Sequence, residues 1–489
     1  MASHRGRPVS LLASGALPRW VAPILVWVLA ASGLLASFIW MQSAHPDLLF
    51  EGFKLRDGSS DNEWQTLRLW ELWKVGPSAL WLSHIYPPLY DGIRWLLMQP
   101  EVLNGQSPSA LDVDHRLFVF NAILFGFVAM IVYLWVRDLT RNGWWAAFGA
   151  LAWCLLPASY AYMTLLNQTG LAIAAMAAAW YLLYRFCRTR RNVYAIGFLA
   201  ALLVASLTRN VVQIHVFVVV LVAAVCFYFM GRPRSLRALV VSLFLVALIA
   251  FWPARAWVMY STFDVSTHTG YNRAGALWIN PNTVPEPAWP DNITANATLL
   301  SSGWNTQETL KDNYRLGAAA NELMLHHPVE AGQRLLKSLT ITMPVAFRSI
   351  YVQWYNAFLY ASPLAPPLDW IFSGLRFVGL IVLSFAVVFV TAGWRGSRRI
   401  LRQYLWFIVF WVLVAIPVAF SNRYWPPEVP EPVHSEADRL RALIDVPVYV
   451  VMVLAASIVV RRSAEAIRRR RRGGAEILPE SERSAPRAS

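Results

Sequence analysis

Stretches of about twenty mainly apolar residues recur along this chain, each long enough to cross the hydrocarbon core of a bilayer as one helix. They fall at 20–41, 117–136, 143–163, 168–186, 193–208, 211–230, 236–257, 368–392, 402–420 and 441–460. Backbone polar groups in lipid must be satisfied inside their own segment, so a chain patterned this way is expected to be an all-α polytopic membrane protein. Hydrophobic residues make up 57% of the 489 positions and charged residues 15%, a balance that excludes an ordinary soluble domain. The first span is long and lacks a small-residue cleavage site, which makes it a retained anchor.

Arginine sorts the connections. Arg5 and Arg7, Arg137 and Arg141, the RFCRTRR run from Arg185, GRPRSLR from Arg232, RGSRRILR from Arg395 and RRSAEAIRRRRR from Arg461 lie on alternate, short connections. These connections and both termini are therefore expected in the cytoplasm, and the long acidic ones outside. The formal charge of +15 does not imply nucleic acid as a partner. The excess arginine sits at span ends, where membrane lipids are its natural partners. Cys154, Cys187 and Cys226 form no CxxC pair and indicate neither a disulfide frame nor a zinc site.

Four parts follow: a transmembrane module over 1–257 that includes a first outer loop at 42–116, an outer loop or cap at 258–367, C-terminal spans over 368–460, and a basic, disordered cytoplasmic tail at 461–489. The first outer loop holds two amphipathic stretches suited to the membrane surface. In NEWQTLRLWELWKV, Trp64, Leu67, Trp70, Leu72 and Trp73 gather toward one side. The second starts at Pro87-Pro88 and carries Leu89, Ile93, Leu96 and Leu97. Packing against neighbouring spans is the other reading of both.

Several strings carry a resemblance. They are SSDNEW on the first outer loop, YPPLY ahead of a surface helix, and the segment from HRLFVFNAILFGF to LLPASYAY. LTRN near Arg209, HHPVEAGQRLLKSL, and ADRLRALIDVPVYVVMVLAA in the last span complete the set. With them the chain resembles the GT-C superfamily of integral membrane glycosyltransferases, in its bacterial branch of protein O-mannosyltransferases and aminoarabinose transferases. The resemblance implies a GT-C-like bundle of about ten spans with interfacial helices in the outer loops. It also implies a polyprenyl-phosphate-linked sugar donor, and transfer with inversion to a lipid, glycan or protein acceptor at the outer face of a bacterial plasma membrane. Some relatives carry an acidic pair between the third and fourth spans, where this chain has LLNQTG.

Such a transfer needs a base for the acceptor hydroxyl, and Asp61 is the first candidate, with Glu63 and Asp57 behind it. Asp61 ahead of NEWQTL also reads as a helix cap. His84, Tyr86 and Asp91 could contact sugar hydroxyls or be structural. Arg116, Arg209, Arg439 and Arg441 lie on the outer side, against the basic-inside trend, and suit either a donor phosphate or lipid headgroups. The residues fix no cofactor and leave a divalent metal open. Asp112, Asp114 and His115 are weak candidates for a divalent cation. Trp278, Trp289, Trp304 and Trp425 offer stacking faces or interfacial anchors. A transporter or lipid-linked-sugar flippase is the competing class, and Asp445 in the last span is the charge it would claim.

Overall fold

A computed structural model describes residues 20–44, 60, 66–210, 214–264, 266, 268–286, 305–342, 374–419 and 437–476. Among these residues the chain is helical, with no strand. After α1 (Val21–Ala44) come four short helices, α2 (Leu69–Lys74), α3 (Pro77–Leu82), α4 (Leu89–Leu97) and α5 (Gln99–Leu103). The next group is α6 (Ala110–Thr140), α7 (Gly143–Cys154), α8 (Pro157–Thr164), α9 (Thr169–Thr189), α10 (Asn192–Thr208), α11 (Ile214–Met230) and α12 (Leu236–Tyr260). Then follow α13 (His268–Ala276), α14 (Gln307–His326), α15 (Pro328–Thr342), α16 (Gly374–Ala419) and α17 (Ala437–Glu476).

Six of these helices, α1, α6, α9, α12, α16 and α17, are long and apolar enough to cross a membrane, and α10 and α11 are shorter apolar helices. The all-α membrane class expected from the apolar pattern is thus what the described residues form. Burial ranks the helices. The most apolar window of α9 is 78% buried inside the protein, against 6% for α16. Lipid is as apolar as a leucine side chain, so a peripheral span loses nothing by facing it, and packing contacts rather than the hydrophobic effect hold the bundle. At the centre Trp180 of α9 is fully buried, and its Nε1–H donates to the Leu443 carbonyl of α17 at 2.8 Å. Phe407 and Phe410 of α16 stand against the same ring.

The arginine-bearing turns collect at one end of the bundle. Arg185 pairs with Asp138 at 2.8 Å, Arg188 donates to the Asp138 carbonyl at 3.0 Å, and the Arg232 N–H donates to the Arg190 carbonyl at 2.7 Å. At the opposite end the first loop meets the end of α12: Arg255 Nη1 donates to the Ser83 carbonyl at 3.0 Å, and Tyr260 Oη to the Leu82 carbonyl at 2.7 Å. In the cap α13 and α14 approach closely. The Gly270 N–H donates to Asn313 Oδ1 at 2.6 Å, and a Cβ on Gly270 would stand 2.0 Å from the Asn313 carbonyl oxygen.

Three expectations change. Of the tail expected to be disordered at 461–489, the basic run from Arg461 is helical through Glu476, because Ala, Glu and Arg are good helix formers and Glu465 accepts from Arg461 one turn away, while 477–489 lie outside the described residues. The spans expected at 368–392 and 402–420 fall, over their described residues, on the two arms of α16, which breaks at Gly393, where φ is +66°, and again at Tyr404. Among the described residues of the first amphipathic stretch, the helix is the six residues of α2, which bury Leu69, Glu71 and Leu72 and leave Trp70 and Trp73 exposed. Trp64 lies outside the described residues. The second stretch begins at Leu89 behind Pro88, as its prolines predict, yet α4 turns Tyr90, Asp91 and Arg94 inward and leaves Leu96 exposed. The polar pair satisfies itself inside, while leucine is at home in lipid.

Candidate functional site

Two fixed points bracket the acid-bearing segment of the first loop. The Ser60 N–H donates to both carboxylate oxygens of Asp114, at 3.2 Å each, and Thr66 Oγ1 donates to the Ser60 carbonyl at 2.7 Å. The next residue is held as well: the Leu67 N–H donates to Asp91 Oδ2 at 3.2 Å, while Arg94 Nη1 donates to the Leu67 carbonyl at 2.5 Å and to Asp91 Oδ1 at 2.9 Å. Asp61 and Glu63 lie between these anchors, and they and Asp57 are outside the described residues. Asp91, read from the sequence as a sugar contact, is buried and committed to loop and helix. Truncating one partner of such a buried pair costs about 3–5 kcal/mol, so its first role is to hold the loop.

Asp114 also leaves the cation reading. It is buried on α6, whereas Asp112 and His115 are exposed. At 3.6 residues per turn, positions 112 and 115 share a face and 114 points away. Among the described residues no three His, Cys, Asp or Glu side chains come together to hold a metal. Arg116 is committed too. Its guanidinium grips Glu101 through both nitrogens and donates to the Leu97 carbonyl at 2.5 Å. These bonds hold the Glu101 carboxyl below its usual range, and they clamp α5 to α6.

Arg209 and Arg255 present the unexpected geometry. Arg209 follows α10 with extended backbone, is 1% exposed, donates from Nη2 to Thr169 Oγ1 at 2.9 Å, and faces the Tyr86 ring at 5.9 Å. Arg255, in the last turns of α12 after Pro253, is 5% exposed and stacks on Trp252, Tyr260 and Trp81. No ion pair to Arg255 occurs among the described residues. Both guanidiniums meet the same four-residue stretch of the first loop, Ser83 to Tyr86. In the sequence Arg255 sits near the end of the apolar segment 236–257, where an arginine is usually explained by the interface, and the signal that sets it apart is its burial in the fold.

Between them sits His84. Its backbone N–H donates to Asn305 Oδ1 at 3.0 Å, its ring meets Tyr260 edge-on, and both ring nitrogens are buried without a partner. A cavity of about 10 Å³ opens beside it, lined by Arg255, Thr262, Asp264, Ser266 and Asn313, the size of a single water. Burial, and secondly the Arg255 charge, push the imidazole down from 6.5 to about 3. Folding thus favours neutral His84. Its contribution is whole above pH 6.5 and is lost as pH falls toward 3, where the unfolded chain binds the extra proton. Between these limits the loss is about 1.4 kcal/mol per pH unit. Thermal unfolding in nanodiscs between pH 7 and 4 is expected to show His84→Gln less acid-sensitive than wild type. Parallel curves would mean that the ring is protonated in the folded state.

The helix carrying Arg439 and Arg441 begins at Ala437, but their side chains lie outside the described residues, as do Trp289, Trp304 and Trp425. Trp278 is stacked under Lys337 Nζ at 4.1 Å. Compared with protein-family models, curated proteins and solved structures, the chain has no match.

Proposed function

We propose that this protein is an inverting glycosyltransferase of GT-C type that takes a sugar from a polyprenyl-phosphate donor. One observation carries the reading: two buried guanidiniums, Arg209 and Arg255, meet the first loop at the end of the bundle where its acid-bearing segment is anchored. A lipid phosphate gains negative charge as it leaves, and preplaced guanidiniums in a dry site stabilise that charge most. Asp61, Glu63 or Asp57 of the first loop can take the acceptor proton. The acceptor is a lipid, glycan or protein hydroxyl. The bundle then has about ten crossings, with α7–α8, α10 and α11 joining the long helices and α16 crossing twice.

The decisive experiment incubates purified protein with a panel of radiolabelled polyprenyl-phosphate sugars and membrane extract. Label is expected to move to an acceptor from one donor. Retention of label in every donor overturns the reading. The arginine-rich end is proposed to face the cytoplasm, in a bacterial plasma membrane. In a background with the three cysteines replaced, Ser107→Cys is expected to react with an impermeant thiol reagent on intact cells and Arg234→Cys is not. The reverse pattern inverts the orientation.

A further inference from the structure

A second hollow lies outside the Arg209–Arg255 site, where the end of α12 meets α13 and α14. It encloses about 310 Å³, within the range of small-molecule pockets. Its walls carry Trp257, Phe263, Asp264, Arg273, Tyr314 and Asn321. Trp257 and Phe263 stack on each other, with ring centres 4.4 Å apart and planes 12° off parallel, yet remain 50% and 45% exposed. The pair is therefore accessible from the hollow that it lines. Arg273 Nη2 donates to both oxygens of Asp264 at 2.8 Å, and Nη1 to Asn321 Oδ1 at 2.8 Å, while its Nε is buried without a partner. Asn313 donates to Asp264 as well, at 3.4 Å.

The chemistry narrows the ligand. An anion would meet the Asp264 carboxylate and a cation the Arg273 guanidinium, and because the two neutralise each other neither ion gains a free counter-charge. What remains on the wall is a dense set of donors and acceptors, suited to groups that both donate and accept, which is what hydroxyls do. A flat aromatic face beside them accepts axial C–H bonds through its negative π-cloud. Hydroxyls around the rim and C–H bonds on a face describe a pyranose or furanose ring. We infer that this hollow binds a neutral sugar ring against Trp257 and Phe263, with its hydroxyls on Asp264, Arg273 and Asn321.

Asp264 and Thr262 also line the cavity beside His84, so a sugar held here lies against the wall of the candidate transfer site. As an acceptor subsite it rests on the transferase reading; as a binding site it does not. The test is therefore binding rather than turnover. Full-length protein in lipid nanodiscs is titrated with methyl glycosides and disaccharides of glucose, mannose, galactose and arabinose, read by saturation-transfer NMR, with glucuronate and glucose 6-phosphate as anionic comparators. A neutral sugar is expected to saturate the protein, and Trp257→Ala and Asn321→Leu to weaken it about tenfold without moving the unfolding temperature. Asn321 is exposed, so its variant keeps the test decisive where Trp257→Ala folds poorly.

Absence of saturable binding by every neutral sugar overturns the inference, and so does tighter binding of the anions. Trp257→Ala that loosens the protein from the membrane but leaves sugar binding intact also overturns it, because the ring is then an interfacial anchor. Sugar binding without any transfer of label leaves this site standing and removes the transferase reading. Transfer with no sugar bound here does the opposite.

Discussion

Asp61→Asn is expected to lower sugar transfer about a hundredfold or more while leaving the protein folded. Asparagine keeps the shape of the side chain and its ability to cap a helix, so a capping role alone would cost little. A base is different, because a neutral amide cannot take the acceptor proton. Ser60 on Asp114 and Thr66 on Ser60 hold the two ends of the segment independently of Asp61, so the substitution should not release it. Initial rates with the labelled donor, beside unfolding temperatures, give the answer. A folded variant turning over near the wild-type rate passes the role of base to Glu63 or Asp57. The companion change Asp114→Asn should act through the loop, slowing transfer together with a loss of stability.

Arg255→Gln is expected to cost a comparable factor, on the order of a hundredfold in kcat, with a smaller change in KM for the donor. The charge it meets grows in the transition state, and removing one such preplaced donor typically costs about 3–4 kcal/mol. Arg255→Lys should fall between, since it keeps the charge but loses the planar fork that stacks on Trp252 and Tyr260. A purely structural Arg255 predicts another pattern: both variants lower the unfolding temperature, and the rate per folded molecule is unchanged. That pattern would remove Arg255 from the site.

Much of the scaffold was legible in the linear chain because lipid imposes a one-dimensional rule. Any span must be apolar over about twenty residues and satisfy its backbone internally, and that can be read without knowing its neighbours. The start of α4 behind Pro87-Pro88 was legible for a similarly local reason, since proline lacks the N–H that a first helical turn leaves unused. The gathering of arginine at short connections is also a property of the string itself. Which arginine does what was not legible. Arg116 looked available on the outer side, and the fold spends it on Glu101. Nothing in the string sets Arg255 apart within the apolar segment 236–257, and the fold places it against Ser83 beside His84.

The sequence by itself determined an all-α membrane chain, its apolar segments, its uneven distribution of basic residues, and a first loop rich in acids and tryptophan. Tertiary structure alone decided the pairings: Ser60 with Asp114 across 54 positions, Ser83 with Arg255 across 172, and Trp180 with the Leu443 carbonyl across 263. The division has a physical reason. Solvation by lipid acts on each segment separately, whereas a buried charge or hydrogen bond is tolerated only where its partner is delivered, and packing of the whole bundle decides that delivery.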